Sequence, residues 1–286
     1  MNIVPFFKSP IDAIKNVSLN SSQLLALLLL AIFIVASICI DPELASALHL
    51  DNRFVPPIWD VGGQWQHLLG TDHLGRDVLA RLLAGAKTSL IVGVFSAMLA
   101  TTGGVFFGVL LGYLGGGAAL MGRFILAVHL AMPALIIMLL MVWFFGDSLL
   151  WVVCIIAFIH LPWFLSISQK LTPELMAQDF ISAAVCGRLS IFQIFIREVL
   201  PNLLPVIVSL FALEVTAAIL TEATLSYLGV GVRGEAASWG GMIADAQSVI
   251  IFRPWLTILP ALCLFLLSIS ILCCVRPQRV WKASAL

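Results

Sequence analysis

Chemistry in this chain has few residues to draw on. Asp, Glu, Lys and Arg together make up only 10% of it, so a charge inside an apolar run stands out. Glu214 and Glu222 are two such charges, in a stretch, 203–228, that is otherwise largely apolar or small. A charge at mid-bilayer costs about 2.5–3.5 kcal/mol on insertion scales, so these carboxylates are expected to face protein or water. Eight residues apart on a helix they point roughly 80° from one another, and both can border a translocation pathway. Two chemistries suit them: a proton relay in a secondary transporter, or hydrogen bonding between helices. Glu214 is the deeper and is expected to be paired or neutral. His129 and His160, in or beside apolar runs, read as helix-packing histidines.

Two further stretches carry clustered polarity. In the first, His67 to Leu90, Gly70 and Gly75 permit sharp turns. Asp72, Arg76 and Asp77 can pair with one another and tie the loop to the membrane surface, with Thr71 among them. A metal site from Asp72, His73 and Asp77 is the less favoured reading. In the second, Asp179 to Asn202, Asp179 can cap a short helix. Ala183 and Ala184 give that helix a low-profile side, and Gly187 can break it. A second helical piece, Ile191 to Val199, puts Ile191, Ile194 and Phe195 on one face, and Pro201 marks the entry into the next apolar run. This stretch reads either as an amphipathic loop on lipid or as a docking element for a cytoplasmic protein. The six cysteines form no C-x-x-C and no Cys/His metal spacing, so they read as small apolar residues.

The elements that must position these residues are membrane spans. Hydrophobic residues reach 61%, against roughly 45–50% in soluble domains. The expected fold is an all-α polytopic membrane protein. A first span covers 23–40; a cleaved signal peptide ending near Ala45-Ser46-Ala47 is the rival, but the apolar run is long for one. Gaps between charges place further spans near 88–113, 124–145, 149–168 and 254–275, and 203–228 forms another despite Glu214 and Glu222, giving six. Around them lie a cytoplasmic tail at 1–22, an extracytoplasmic loop with an interfacial helix at 41–87, a five-helix core at 88–275 containing a cytoplasmic loop at 172–200, and a second cytoplasmic tail at 276–286. With the amino terminus inside, the inner segments carry nine Lys and Arg and the outer ones six, which favours that orientation. Gly104, Gly108 and Gly112, beside Gly103, share one helical side and allow close helix approach. Zero net charge suggests no nucleic-acid partner.

Three segments resemble one family. Ser182-Ala183-Ala184, then Gly187, then Leu200-Pro201-Asn202, resembles the EAA loop of permease subunits of bacterial ABC importers. Leu69-Gly70-Thr71-Asp72-His73-Leu74-Gly75-Arg76-Asp77 looks like the LGTDxxGRD signature of the peptide/nickel branch, in its C-type subunits. Residues 219–232 and 238–243 are similar to the family's late segment, where Glu222 matches a position near the outer end. The likeness covers about 67 to 275. Ser182 stands where the motif has Glu, and counting back from Pro201 the motif glycine falls at Arg188, one residue after Gly187. Leu272-Cys273-Cys274-Val275-Arg276 replaces the usual Asn-Leu-x-Gly-Asp run.

The resemblance implies a permease subunit in a bacterial inner membrane, coupled to its motor through Asp179, Ser182, Ala183, Ala184, Gly187, Arg188, Arg197, Leu200 and Pro201. It implies a second homologous permease subunit, two cytoplasmic ATPases, an extracytoplasmic binding protein and lipid as partners. ATP and magnesium would then sit in the ATPases. No G-x-x-x-x-G-K-[ST] occurs here, and Gly229-Val230-Gly231 lacks a third glycine, so this chain is expected to hold no nucleotide, no other cofactor and no catalytic residue. The cargo implied is a peptide, with nickel or another metal chelate as the alternative.

Overall fold

The structure is a computed structural model, and it describes residues 21–40, 42–232 and 237–274. Most of both expected tails, and with them Lys8, Lys15, Arg276, Arg279 and Lys282, lie outside the described residues, as does Arg233. Among the described residues there is no strand; the only extended pairing is an isolated bridge between Thr71 and Asp77.

The described residues run through eleven α-helices. They are α1 Ser21–Cys39, α2 Pro42–Ser46, α3 Val78–Leu114, α4 Gly116–Ala131, α5 Ala134–Phe145, α6 Leu149–Met176, α7 Asp179–Cys186, α8 Ile191–Ile194, α9 Leu200–Tyr227, α10 Trp239–Ala246 and α11 Trp255–Cys274. Among the described residues, four segments are long and apolar enough to cross a membrane: α3, α6, the continuous run Ile191–Tyr227 and α11. The bent pair α4 and α5 supplies a fifth if taken as one span, while the apolar stretch of α1, Gln23–Val35, is shorter than a full span.

Several boundaries differ from the sequence expectation. Helix α3 starts at Val78 rather than 88, because Asp77 caps it: the Asp77 side chain accepts from the Ala80 N–H at 2.8 Å. Lys87 therefore stands inside the helix and not at the end of a loop. At 37 residues α3 is about 55 Å long, well beyond the roughly 30 Å hydrocarbon core, so it projects from the bilayer. The expected span 124–145 is broken, with α4 and α5 meeting at 89°. Pro133 stands at the break, where it cannot donate into a continuing ladder. Helix α6 carries on to Met176, so residues 172–176 of the expected loop are helical.

Packing centres on α3. Gly104, Gly108 and Gly112 lie directly against α6: a Cβ on them would come within 2.5–2.8 Å of the Leu161, Leu165 and Gln169 carbonyl oxygens. The glycine stripe thus packs two helices of this chain together, which settles where its close approach is used. Three apolar cores follow. One joins α3, α9, α10 and α11 around Trp239. One joins α3, α5, α6 and α9 through Val92, Val142, Ile155 and Leu225. The third seats α7 and the run from Ile194 to Ile207 against α3 and α6.

Candidate coupling segment and charged anchor

Residues 177–199 fold as two short helices joined by a tight turn. Gln178 occupies the N-cap of α7 without a side-chain bond, so Asp179 is not the cap. It is the first helical residue, exposed, where the helix dipole still favours its charge. Ile181 and Ala184 are buried against Ala157, Phe164, Ile194, Val199 and Leu203. The expected pairing of Ala183 with Ala184 on one open side is therefore corrected. An α-helix turns 100° per residue, and here Ala184 points inward while Ser182, Ala183, Val185 and Cys186 stay exposed.

The turn is closed at Arg188, not at Gly187. Gly187 has an ordinary φ of −70°, whereas Arg188 sits at φ +57°, in the left-handed region where glycine is normally found. The Leu189 N–H donates to Ala184 O at 3.2 Å and the Arg188 N–H to Val185 O at 2.9 Å. These two bonds make a Schellman motif. The bend therefore occupies the position of the family glycine, and an arginine tolerates the conformation.

Ser190 and Gln193 form a capping box at α8, with bonds of 2.9 and 3.3 Å. Ile194 is buried and Phe195 packs against the same core, but Ile191 and Phe192 are exposed, so the expected three-residue face is split. Phe195–Val199 forms a π-turn that passes directly into α9. Leu200 and Pro201 are the first residues of α9 and lie within a continuous helical run. Arg197 is exposed.

At the opposite end of α3 is a cluster of charges. Gly70 and Gly75 have φ of +80° and +76°. A Cβ on Gly75 would meet His49 O at 1.8 Å, so only glycine fits. Between these turns, Asp72 is a hub. Its Oδ1 accepts from the Leu74 and Arg76 N–H groups at 2.8 and 3.0 Å. Its Oδ2 accepts from Arg76 Nε at 2.7 Å and Arg81 Nη1 at 2.5 Å. Burial alone would raise the Asp72 pKa. The guanidiniums of Arg81 and Arg76 and the two N–H bonds outweigh that and hold it below the ordinary 3.8.

Asp245, at the end of α10, completes the cluster by accepting from Arg76 at 3.0 Å and from Arg81 at 3.2 Å. Thr71 Oγ1 donates to Asn52 O at 2.5 Å and accepts from the Val55 N–H at 2.8 Å. Asp77 does not join the hub: it caps α3 and contacts His67 Nδ1 at 2.9 Å. The expected mutual pairing is thus right for Asp72 and Arg76 and wrong for Asp77. The side chains of Asp72, His73 and Asp245 do approach within 4.8 Å of one another. Both carboxylates are already committed to two guanidiniums, whose charge opposes a cation.

Trp239 locks α10 to α3. It is fully buried, donates from Nε1 to Leu82 O at 2.8 Å, and fills a notch that exists because residue 85 is glycine. Asp245 and Trp239 are the anchor residues that motif reading passed over. Asp245 gave no local signal, since its partners lie 164 and 169 residues away. Trp239 stood inside the Ser238-Trp239-Gly240-Gly241 run already singled out.

The two carboxylates of α9 part company. Glu214 is buried, with its Oε1 2.6 Å from His160 Nδ1 on α6, an electrostatic contact and not an aligned hydrogen bond. His160 Nε2 lies 3.2 Å from Thr221 Oγ1. Glu222 is fully buried and accepts from Ser226 Oγ at 2.6 Å. It faces the interior of this chain, which speaks against a place on an open pathway.

The described chain is an α-helical bundle carrying a folded amphipathic insert between two of its long apolar helices. Residues 104–276 match the family model described as "Binding-protein-dependent transport system inner membrane component". The chain belongs to that family: it is a multi-pass inner-membrane permease component that works with a binding protein.

Three relatives give its neighbourhood. A di/tripeptide transport system permease protein of Pseudomonas aeruginosa is 32% identical over 77% of this chain and 73% of its own length. An oligopeptide transport system permease protein of Escherichia coli is 32% identical over 84% and 78%. A glutathione transport system permease protein of Pectobacterium atrosepticum is 31% identical over 76% and 72%.

Proposed function

We propose that this chain is one of two transmembrane subunits of an ATP-driven importer of peptides. A second, homologous permease subunit lies beside it in the lipid. An extracytoplasmic binding protein delivers cargo, and two cytoplasmic ATPases hold the ATP and magnesium. The chain itself is non-catalytic and binds no cofactor. Helix α1 serves as a sixth span and the amino terminus is cytoplasmic, in keeping with the excess of Lys and Arg on inner segments. The peptide cargo rests on the names of the relatives, all of which carry peptides or glutathione.

One observation carries the coupling role. Between α6 and α9 lies an insert with a buried anchor, Ile181, Ala184, Ile194 and Val199, and an exposed outer side bearing Ala183, Val185, Ile191 and Phe192. That side is exposed and carries apolar residues, which suits a protein partner. A subunit that moves with the ATPases needs differential contact with their two states, and α7 and α8 are placed to make it.

The experiment is Ala183→Asp, reconstituted with all partners in proteoliposomes. Ala183 is exposed, so the fold should survive. Peptide uptake should drop at least about tenfold, the loss of roughly 1.4 kcal/mol of coupling, while ATP hydrolysis persists. Uptake at the wild-type rate would remove the coupling role. Uptake driven by a proton gradient without the ATPases would instead support a secondary transporter using Glu214.

A further inference from the structure

The contact between His160 and Glu214 is used neither by the coupling insert nor by the outer anchor. Its location is informative. Helix α6 leads into the insert and the run 191–227 leads out of it, with only 177–190 between. These are the two helices joined to the insert through the chain.

Apolar contacts join them at both ends. Ala157 and Phe164 of α6 share a core with Leu203 and Ile207 of α9. Ile155 and Ile156 share another with Ala218 and Leu225. Among these apolar residues the join has one polar member. One imidazole reaches Glu214 with Nδ1 at 2.6 Å and Thr221 with Nε2 at 3.2 Å. It therefore spans about two turns of α9.

Close-packed apolar side chains resist shear, but after a shift they can find new apolar partners. A buried carboxylate facing an imidazole cannot, because shear or separation leaves an uncompensated polar group in a medium without water. Glu214 is 5% exposed, so no solvent stands ready to replace His160. Both groups sit near the middle of their helices, where such a key resists sliding of one along the other.

We propose that His160 is a positioning residue that keys α6 to α9 through Glu214 and Thr221, so that α6, the insert and α9 move as one rigid lever. The proposal rests on the reading of the chain as an ATP-driven permease. Without the key, motion of the insert would be absorbed as slippage between α6 and α9, and ATP would be hydrolysed with less transport.

The test replaces the key by a reversible covalent tie. His160→Cys/Glu214→Cys is made in a chain whose six native cysteines are substituted, and the whole complex is assembled in proteoliposomes. A short, reducible bis-methanethiosulfonate linker spans the two thiols in place of the two long side chains. The readout is peptide taken up per ATP hydrolysed. Untied, the ratio should fall by roughly threefold or more; tied, it should return to near the unmodified value and fall again with reductant.

Uptake blocked by the tie would show that α6 and α9 must part, and a normal ratio in the untied form would show that the contact is dispensable; either overturns the proposal. In the native-cysteine chain, His160→Gln should keep the ratio and His160→Leu should lower it at unchanged assembly. Equal ratios for the two would also overturn it. No ATP-driven uptake by the unaltered complex would instead be the failure of the functional reading.

Discussion

Gly108→Ala adds one methyl group at the closest approach of α3 and α6. An added Cβ there would stand 2.5 Å from Leu165 O, 2.8 Å from Ser168 Cβ and 3.1 Å from Gln169 N. Two of the three neighbours are backbone, so no side-chain rotation relieves the clash. Restoring ordinary contact moves α6 by roughly 1 Å, and overpacking of this kind costs about 1–3 kcal/mol. Alanine returns about 1 kcal/mol of helix propensity, which leaves a net loss of up to about 2 kcal/mol. The shift also strains the bond from Gln169 Nε2 to Ala119 O, now 2.8 Å.

Gly117→Ala is the control, because a Cβ there meets nothing within 4 Å; it should be neutral or stabilising. Gly103→Ala, facing only the flexible end of Leu161 at 3.1 Å, should fall between. Thermal unfolding of the purified subunit in detergent, followed by loss of the monodisperse peak, ranks the three. A Gly108→Ala variant as stable as Gly117→Ala would refute the packing argument.

Other outcomes follow from the same geometry. Arg188→Gly relieves a left-handed residue worth roughly 1 kcal/mol, part of it offset by unfolded-chain entropy. It should slow hydrogen exchange across α7 and the turn, and faster exchange would contradict the assignment of the bend. The Asp72 carboxyl is held below its ordinary 3.8, so it binds a proton more weakly in the folded loop than in the unfolded one. Its contribution is whole above the unfolded value and is lost as pH falls through the folded one. Exchange protection of the Leu74 and Arg76 amides, corrected for intrinsic rate, should therefore be flat from pH 8 to about 5 and drop only below about 4. Asp72→Asn should abolish that step, and a drop centred near pH 6 would contradict it.

Much of this was legible in the sequence because bilayers and tight turns impose strict rules. Charge-free gaps locate α6 and α11, and the apolar run around Glu214 and Glu222 locates α9, to within a few residues at most ends. Gly70 and Gly75 announce the turns they make. What escaped depended on distance or on which side of a helix a residue faces. Asp245 meets Arg81 only after nine helices have been placed. The same holds for His160 and Glu214, each an intramembrane polar residue without a local partner.

Ala184 was misplaced because the eight residues of α7 offer too short a pattern to fix which side is buried. The start of α3 was missed because Lys87 reads as a loop charge, although Asp77, an ordinary capping residue, marked the true start. Pro133 gave a signal for the α4–α5 break that charge spacing alone ignored. Arg188 is a different case: arginine gives no hint of a left-handed backbone, and only the count back from Pro201 points to that position.

Cys186 allows the central claim to be measured without altering the chain. It lies on the exposed side of α7, next to the turn. In membrane vesicles with the cytoplasmic side outward, a membrane-impermeant maleimide should modify it rapidly when this subunit is expressed without its ATPases. Co-assembly with them should protect it, as read by mass spectrometry of the peptide that contains it. Equal modification with and without the ATPases, or modification only from the outer side, would contradict the account.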